Sequence, residues 1–204
     1  MTPRLLLAGA LIALIAVPAI AQNAPEGTPT RVRGTVEKLD GQNLTVKSRE
    51  GADLTIVLAP NFAVGYLVKK SLADIKAGDY VGAAWTKGTD GKLHAIEVLI
   101  FPEALRGAGE GERPWDLTPD SLMTNATVAG IASATQGHVL KVTYKGGESE
   151  IIVAPDKPVV TFAPGDASLL KPGAAIFTTA LKKADGSLSA SRVTAEKDGV
   201  KPPM

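Results

Sequence analysis

The sequence predicts an all-β protein of two tandem small OB-like β-barrels, each with five strands, joined by an irregular linker. An internal repeat, alternating apolar and polar segments, and Gly-containing turns between those segments support this fold class. Residues 71–98 and 166–193 align without a gap at an offset of 95 positions. Each copy has two strand-like segments separated by Asp-Gly, which is the closing hairpin of a small barrel. The repeat therefore predicts two barrel domains, at residues 30–101 and 125–196.

The alternation also predicts the order of elements within each domain. In the first, three antiparallel strands start at Arg31, and a single helical turn precedes Gly78 and the closing hairpin. In the second, the same order starts at Thr127, with Val128 matched to Val32. Ala59-Pro60 is predicted to end the third strand, and a one-residue slip at Leu58 predicts a bulge or a longer exit from the strand in the first repeat. This order is that of the OB barrel, although an SH3-like barrel or a simple meander would give nearly the same pattern.

Residues 1–21 predict a cleavable secretory signal. Arg4 precedes an apolar run, and small residues stand at Ala19 and Ala21, before Gln22. Residues 22–29 are predicted to be a flexible leader, and residues 197–204 a frayed tail. No other stretch is long and apolar enough to span a membrane. The expected location is therefore periplasmic or secreted, with no membrane span after cleavage of the signal.

The amino-acid composition argues against several classes of function. Removal of residues 1–21 leaves 21 basic and 21 acidic residues, so the chain lacks the basic excess that nucleic-acid binders usually carry. The absence of cysteine excludes disulfides, thiol nucleophiles and thiolate metal sites. We therefore expect no nucleic-acid partner.

Catalytic and metal-binding signals are weak. His94 and His138 are the two histidines, and neither has a second ligand at a metal-binding spacing. There is no nucleophile elbow and no phosphate-binding loop. Trp85 shares a strand face with Val81 and Ala83, which predicts a core position. We expect no catalytic residue, no metal, no cofactor and no enzymatic activity.

The linker, residues 102–124, is the strongest candidate for a binding site. It combines Trp115 with five acidic residues and two arginines, in a segment that neither barrel requires. We expect Trp115 to be buried at the junction of the barrels. The expected site residues are Trp115, Glu110, Glu112, Arg113 and Asp116, with the charged ones bordering a groove. The alternatives are a plain tether, a divalent-cation site, or a hydrolase that uses the linker carboxylates.

Two parts of the sequence resemble known proteins. Residues 34–46 (GTVEKLDGQNLTV) and 72–98 (LADIKAGDYVGAAWTKGTDGKLHAIEV) resemble a bacterial family of exported small β-barrel domains of unknown function, and OB-fold proteins of the periplasm. The linker is similar to exported proteobacterial proteins sometimes labelled metal-transporter components, although a permease would need several spanning helices. No catalytic residues come with these resemblances. We expect a non-enzymatic periplasmic binding or envelope-associated protein, whose partner would be a small molecule, a glycan or an envelope protein.

Overall fold

The computed structural model describes residues 27–135 and 137–202, which form twelve β-strands, three 3₁₀ turns and no α-helix. The strands are β1 (Thr28–Asp40), β2 (Asn43–Ser48), β3 (Asp53–Lys70), β4 (Tyr80–Lys87), β5 (Leu93–Ile100), β6 (Gly111–Pro114), β7 (Leu122–Ala134), β8 (Gly137–Tyr144), β9 (Gly147–Val153), β10 (Val159–Gly165), β11 (Ala175–Lys182) and β12 (Leu188–Ala195). The turns span Leu72–Asp74, Glu103–Leu105 and Ala167–Leu169. The all-β class is confirmed, and so is the helical turn before Gly78. The predicted signal, residues 22–26 of the leader and the last two residues of the tail lie outside the described residues.

The two Asp-Gly motifs form the predicted hairpin turns, between β4 and β5 and between β11 and β12. Gly91 and Gly186 have φ values of 76° and 86°, a conformation that glycine adopts without strain. Asp90 and Asp185 each accept a hydrogen bond from the backbone N–H two residues later, at 3.0 and 2.9 Å. The same local chemistry therefore builds both closing hairpins.

Five strands form a closed barrel. β1 pairs with β2 and β11, β2 pairs with β3, and β11 pairs with β12. β12 then closes the ring by parallel pairing with β3. The interior is aliphatic, and its fully buried members include Val36, Leu44, Val46, Ile56 and Ile176. The predicted β-barrel is thus confirmed for this group of strands.

Most of the remaining strands surround a second apolar core. β4 pairs with β5 and β7, and β8 pairs with β7 and β9. β9 reaches β5 through a parallel contact of two residue pairs, Leu93 with Ile151 and His94 with Ile152. Trp85 is 5% exposed in this core, as predicted.

The closed barrel takes its strands from both repeats. β1, β2 and β3 belong to the first repeat, whereas β11 and β12 are the closing hairpin of the second. The hairpin of the first repeat, β4 and β5, pairs instead with β7 and β9. Two tandem barrels are therefore not confirmed, because the repeats exchange their closing hairpins. The exchange follows from β3, which runs on for 18 residues instead of turning back towards β1.

Pro60 does not end the third strand, and that prediction was wrong. The pairing of β3 with β2 stops at Val57, and the pairing with β12 shifts register between Leu58 and Ala63. Pro60 lies inside this irregularity, where its missing N–H interrupts no ladder. The bulge predicted at Leu58 coincides with the register shift.

The second half of β3 pairs antiparallel with β10, where the two repeats meet. This pairing is symmetric under the repeat, and the equivalent residues Leu67 and Phe162 face each other at its centre. Val64 lies opposite Gly165, and Val159, the counterpart of Val64, lies opposite Lys70. The two repeats are therefore related by an approximate two-fold axis through this strand pair.

Strand pairing also corrects the predicted alignment of β1 with β7. Val36 lies opposite Val46, and Val128 lies opposite Val142, so Val128 corresponds to Val36 rather than to Val32. The difference arises because the β7–β8 hairpin is longer. Four residues separate Leu39 from its partner Leu44, whereas eight separate the corresponding pair at the base of that hairpin.

The corrected alignment makes Arg33 and Asn125 equivalent positions, three residues before Val36 and Val128. Arg33 is 3% exposed and Asn125 is 4% exposed, although both side chains are polar. Buried polar groups need specific partners. Both residues lie at the junction between the repeats, beside the linker.

Candidate functional site

The linker packs against strands of both repeats. β6 pairs antiparallel with β7. The carbonyl of Ala108 accepts hydrogen bonds from Asn125 Nδ2 at 2.8 Å and from the Tyr80 hydroxyl at 3.3 Å. Arg106 forms an ion pair with Glu103 and donates to the carbonyl of Gly78. Residues 102–124 are thus held along most of their length.

Trp115 is half-buried where the linker reaches the barrel. Its ring lies 6.1 Å from the ring of Phe177, and the guanidinium of Arg31 lies 4.1 Å from the ring centre. Aromatic and cation–π contacts of this kind are favourable at such distances. The indole Nε1 is buried and has no hydrogen-bond partner among the described residues. The indole therefore offers an unused donor.

Asp116 fixes the linker to β1 through arginines. Its carboxylate pairs with Arg33 and lies 3.6 Å from Arg31, and its backbone carbonyl accepts from Arg49 at 2.9 Å. Burial lowers the pKa of the Arg33 guanidinium, while Asp116 opposes that shift. Because an uncompensated charge in a buried site is costly, Asp116 is needed for Arg33 to be buried.

A cavity of about 280 Å³ lies between the repeats under the linker. We call it the junction cavity, and its lining is mainly aliphatic and aromatic with four polar side chains besides the tryptophan. The lining residues are Leu67, Glu97, Leu99, Phe101, Ala108, Gly109, Arg113, Trp115, Met123, Asn125, Phe162, Phe177 and Thr194. They come from six strands and the linker, so the cavity depends on the exchanged arrangement of the repeats.

Glu97, on β5, is the one carboxylate of this cavity. Burial raises its pKa to about 7, and Arg33 acts in the opposite direction. At neutral pH its carboxyl group is therefore close to half protonated. Such a group accepts hydrogen bonds in both states and donates one only when protonated.

Three more polar groups of the cavity have unused hydrogen-bonding capacity. Arg113 donates from Nη1 to the carbonyl of Gly109 at 2.7 Å, and burial lowers the pKa of its guanidinium. Among the ion pairs of the described residues, none includes Arg113. Asn125 Oδ1 is buried without a partner in the same part of the chain, as is Trp115 Nε1. Buried polar atoms normally have partners, so these three are positioned to meet a ligand.

The structure divides the predicted site residues. Arg113 and Trp115 line the junction cavity. Glu110 and Glu112 are exposed and have partners outside the cavity lining: Glu110 accepts a hydrogen bond from the backbone N–H of Lys145, and Glu112 accepts one from the hydroxyl of Thr124. Asp116 pairs with the arginines of β1. None of these three acidic residues lines the cavity.

Sequence reasoning missed Glu97, Leu99 and Phe101, which alternate along the closing strand of the first repeat. The second repeat has the more polar residues Arg192, Thr194 and Glu196 at these positions. The apolar Leu99 and Phe101 were thus an available signal that this face of the first repeat is covered, although the polar Thr194 is buried in the same cavity. Asn125 was missed because its equivalence to Arg33 depends on the corrected alignment.

The remaining candidate, His94, contacts a residue of its own hairpin. His94 lies 3.0 Å from Asp90 in the hairpin turn. Among residues 27–135 and 137–202, no group of three or more potential ligands is arranged for a metal ion. The same residues contain no helix of the length and apolar character that crossing a membrane requires.

Comparison of the chain with protein-family models, with curated proteins and with solved structures found no match.

Proposed function

We propose that the protein is an exported, non-enzymatic binding protein whose ligand is a small, largely apolar molecule held in the junction cavity. The observation that carries the proposal is the pairing of an aromatic and aliphatic lining with unpartnered polar atoms at Asn125 and Trp115. Ligand sites in proteins typically have this composition. A volume of about 280 Å³ suits a ligand at the small end of the usual range.

The arrangement of the acidic residues favours binding over hydrolysis. Glycosidase-type chemistry needs two carboxylates facing each other at roughly 5–9.5 Å across a cleft. The junction cavity has Glu97 as its single carboxylate. The linker acids are occupied elsewhere: Glu103 pairs with Arg106, and Asp116 pairs with arginines of β1. The described linker therefore supports neither a hydrolase pair nor a cation site.

A ligand screen tests the proposal. The purified protein is mixed with a panel of small aromatic and aliphatic compounds, divalent cations and oligosaccharides, and its melting temperature is measured. Because a ligand that binds the folded state stabilises it by mass action, apolar compounds should raise the melting temperature, whereas cations and oligosaccharides should not.

Two tryptophan substitutions locate the site. Leu99→Trp places a larger ring in the cavity and should abolish the ligand-induced shift. Ile131→Trp adds the same ring at a position that is 37% exposed and should leave the shift intact. Equal shifts in both variants would place the ligand elsewhere, and the absence of any shift with the apolar panel would overturn the proposal.

A further inference from the structure

Arg113 is the cationic side chain that lines the junction cavity. Its guanidinium carries five N–H donors, and the described residues accept a hydrogen bond from one nitrogen, at the carbonyl of Gly109. A partly buried guanidinium is desolvated without the compensation of a carboxylate here. No carboxylate among the described side chains forms an ion pair with Arg113, so an anionic ligand could supply its counter-charge.

Positive charges outnumber negative ones around the Trp115 ring. Three guanidiniums lie near the Trp115 ring, those of Arg31, Arg33 and Arg113, at 4.1, 5.4 and 5.7 Å from its centre. Asp116 is the carboxylate paired with Arg31 and Arg33. Three guanidiniums against the carboxylates of Asp116 and, in the cavity lining, Glu97 leave a net positive charge beside Trp115, which attracts anions and disfavours cations.

We propose that the ligand of the junction cavity is a small apolar carboxylate, whose carboxylate group pairs with Arg113 and whose aryl or alkyl body lies among the apolar side chains. This inference rests on the proposed function and specifies the class of ligand. An arginine fork matches a carboxylate in a bidentate geometry, so the pairing gives orientation as well as attraction. The apolar wall consists of Leu67, Leu99, Phe101, Phe162 and Phe177.

The size of the cavity limits the ligand. A cavity of about 280 Å³ lies at the small end of the range for ligand sites, which suits a molecule such as a phenyl ring with a short carboxylate chain. Long-chain lipids are too large to fit entirely within it.

The test compares three molecules that have the same phenyl ring and three-carbon chain and differ in the terminal polar group. Binding of 3-phenylpropanoate, 3-phenylpropan-1-ol and 3-phenylpropylamine is measured by titration calorimetry at pH 6. We expect the acid to bind at least tenfold more tightly than the alcohol, and the amine to bind weakest. Arg113→Gln should reduce the affinity for the acid to that for the alcohol, while the affinity for the alcohol stays unchanged.

Arg106→Gln is the matched control, because Arg106 is the other linker arginine and is already paired with Glu103. It should leave the affinity for the acid as it is. The unchanged alcohol affinity shows that the cavity of Arg113→Gln is intact. If that variant fails to fold, the acid-to-alcohol ratio of the wild-type protein still decides the question.

The outcomes separate the two proposals. If the alcohol or the amine binds as tightly as the acid, the cavity is a ligand site but the carboxylate assignment is wrong. If none of the three molecules binds and the apolar panel gives no thermal shift, the proposed function fails as well.

Discussion

Thr28, at the start of β1, lies directly opposite Lys182, at the end of β11. In a tandem arrangement Thr28 would instead face Lys87, which is the residue of the first repeat that corresponds to Lys182. The identity of this partner therefore distinguishes exchanged hairpins from tandem barrels.

Cysteine cross-linking tests the exchange, and the chain contains no native cysteine to interfere. Residues directly opposite in an antiparallel pair have Cα atoms roughly 4.5–5.5 Å apart, within reach of a disulfide. Thr28→Cys with Lys182→Cys should therefore form an intramolecular disulfide on mild oxidation, detected by altered mobility on a non-reducing gel. Thr28→Cys with Lys87→Cys should not. Cross-linking of the second pair alone would show that each repeat closes with its own hairpin.

Asp116→Asn should destabilise the protein by leaving the buried Arg33 without its carboxylate. We expect the free energy of unfolding to fall by about 2 kcal/mol, less than for a fully buried pair because Asp116 is partly exposed. Urea denaturation measures the change. Asp40→Asn breaks the exposed pair with Lys38 and should lower the free energy of unfolding by clearly less than Asp116→Asn does. Equal losses in the two variants would mean that Asp116 does not compensate Arg33.

Trp115→Ala should lower the free energy of unfolding by about 2–3 kcal/mol, because the ring is half-buried against Phe177 and arginines. The variant linker should also become more sensitive to limited proteolysis, since residues 102–124 lose an anchor. A loss below about 1 kcal/mol, together with cleavage of the wild-type linker as fast as an unstructured peptide, would reduce this segment to a tether.

Glu97 should make the protein less stable as the pH rises. Because its pKa is raised from 4.5 to about 7 in the folded state, the folded protein binds more protons than the unfolded chain between these values. Stability due to this group is therefore lost as the pH rises from 4.5 to 7, by at most about 3 kcal/mol. The charge of Arg33 lowers the pKa of Glu97 and so opposes the effect of burial. Glu97 also lines an adjoining groove, whose other charged residues are Lys69, Lys70, Asp156, Lys157 and Lys201.

Glu97→Gln isolates this contribution, since the amide has the same shape and does not titrate. Thermal denaturation should show the variant more stable than the wild-type protein at pH 8 and about equally stable near pH 4. A constant difference in stability across this range would contradict the assigned pKa of Glu97.

Gly82→Ala should disturb the cavity wall. A Cβ at this position would lie 2.8 Å from Asn125 Oδ1 and 3.0 Å from the Phe101 ring, so one of these side chains must move. We expect a loss of about 1–3 kcal/mol, typical of overpacking, measured by urea denaturation. Gly130→Ala is the control, because a Cβ there meets no atom within 4 Å. Similar effects of the two substitutions would show that Asn125 and Phe101 are free to rearrange.

The elements that the sequence predicted well are local ones. Alternation of apolar residues and the Asp-Gly pairs determine strands and turns within about ten residues, so they can be found without knowing the fold. Because these patterns are local, they carry no information about the exchange of the closing hairpins. The two closing hairpins have such similar sequences that the sequence does not indicate which set of strands each one completes. The structure shows that β3 continues beyond Leu58 to Lys70 and pairs there with β10 and β12.

The candidate site was predicted in part for a related reason. Trp115 and Arg113 stood out because a linker seldom contains such residues. Glu97, Leu99 and Phe101 lie on a strand whose barrel-facing positions already accounted for its apolar pattern. The face of the strand that carries these three residues becomes a cavity wall only when both repeats and the linker are assembled around it. No local sequence pattern encodes that assembly.

The exchange of hairpins also governs when the chain can fold during its synthesis. β1 needs β11 as a neighbour, and β3 needs β12, so strands made first must wait for strands made last. At roughly 5–20 residues per second, this delay lasts several seconds or more. The closed barrel therefore stays open until nearly all of the chain has emerged, and the outer edges of β1 and β3 are exposed meanwhile to chaperones and to neighbouring chains.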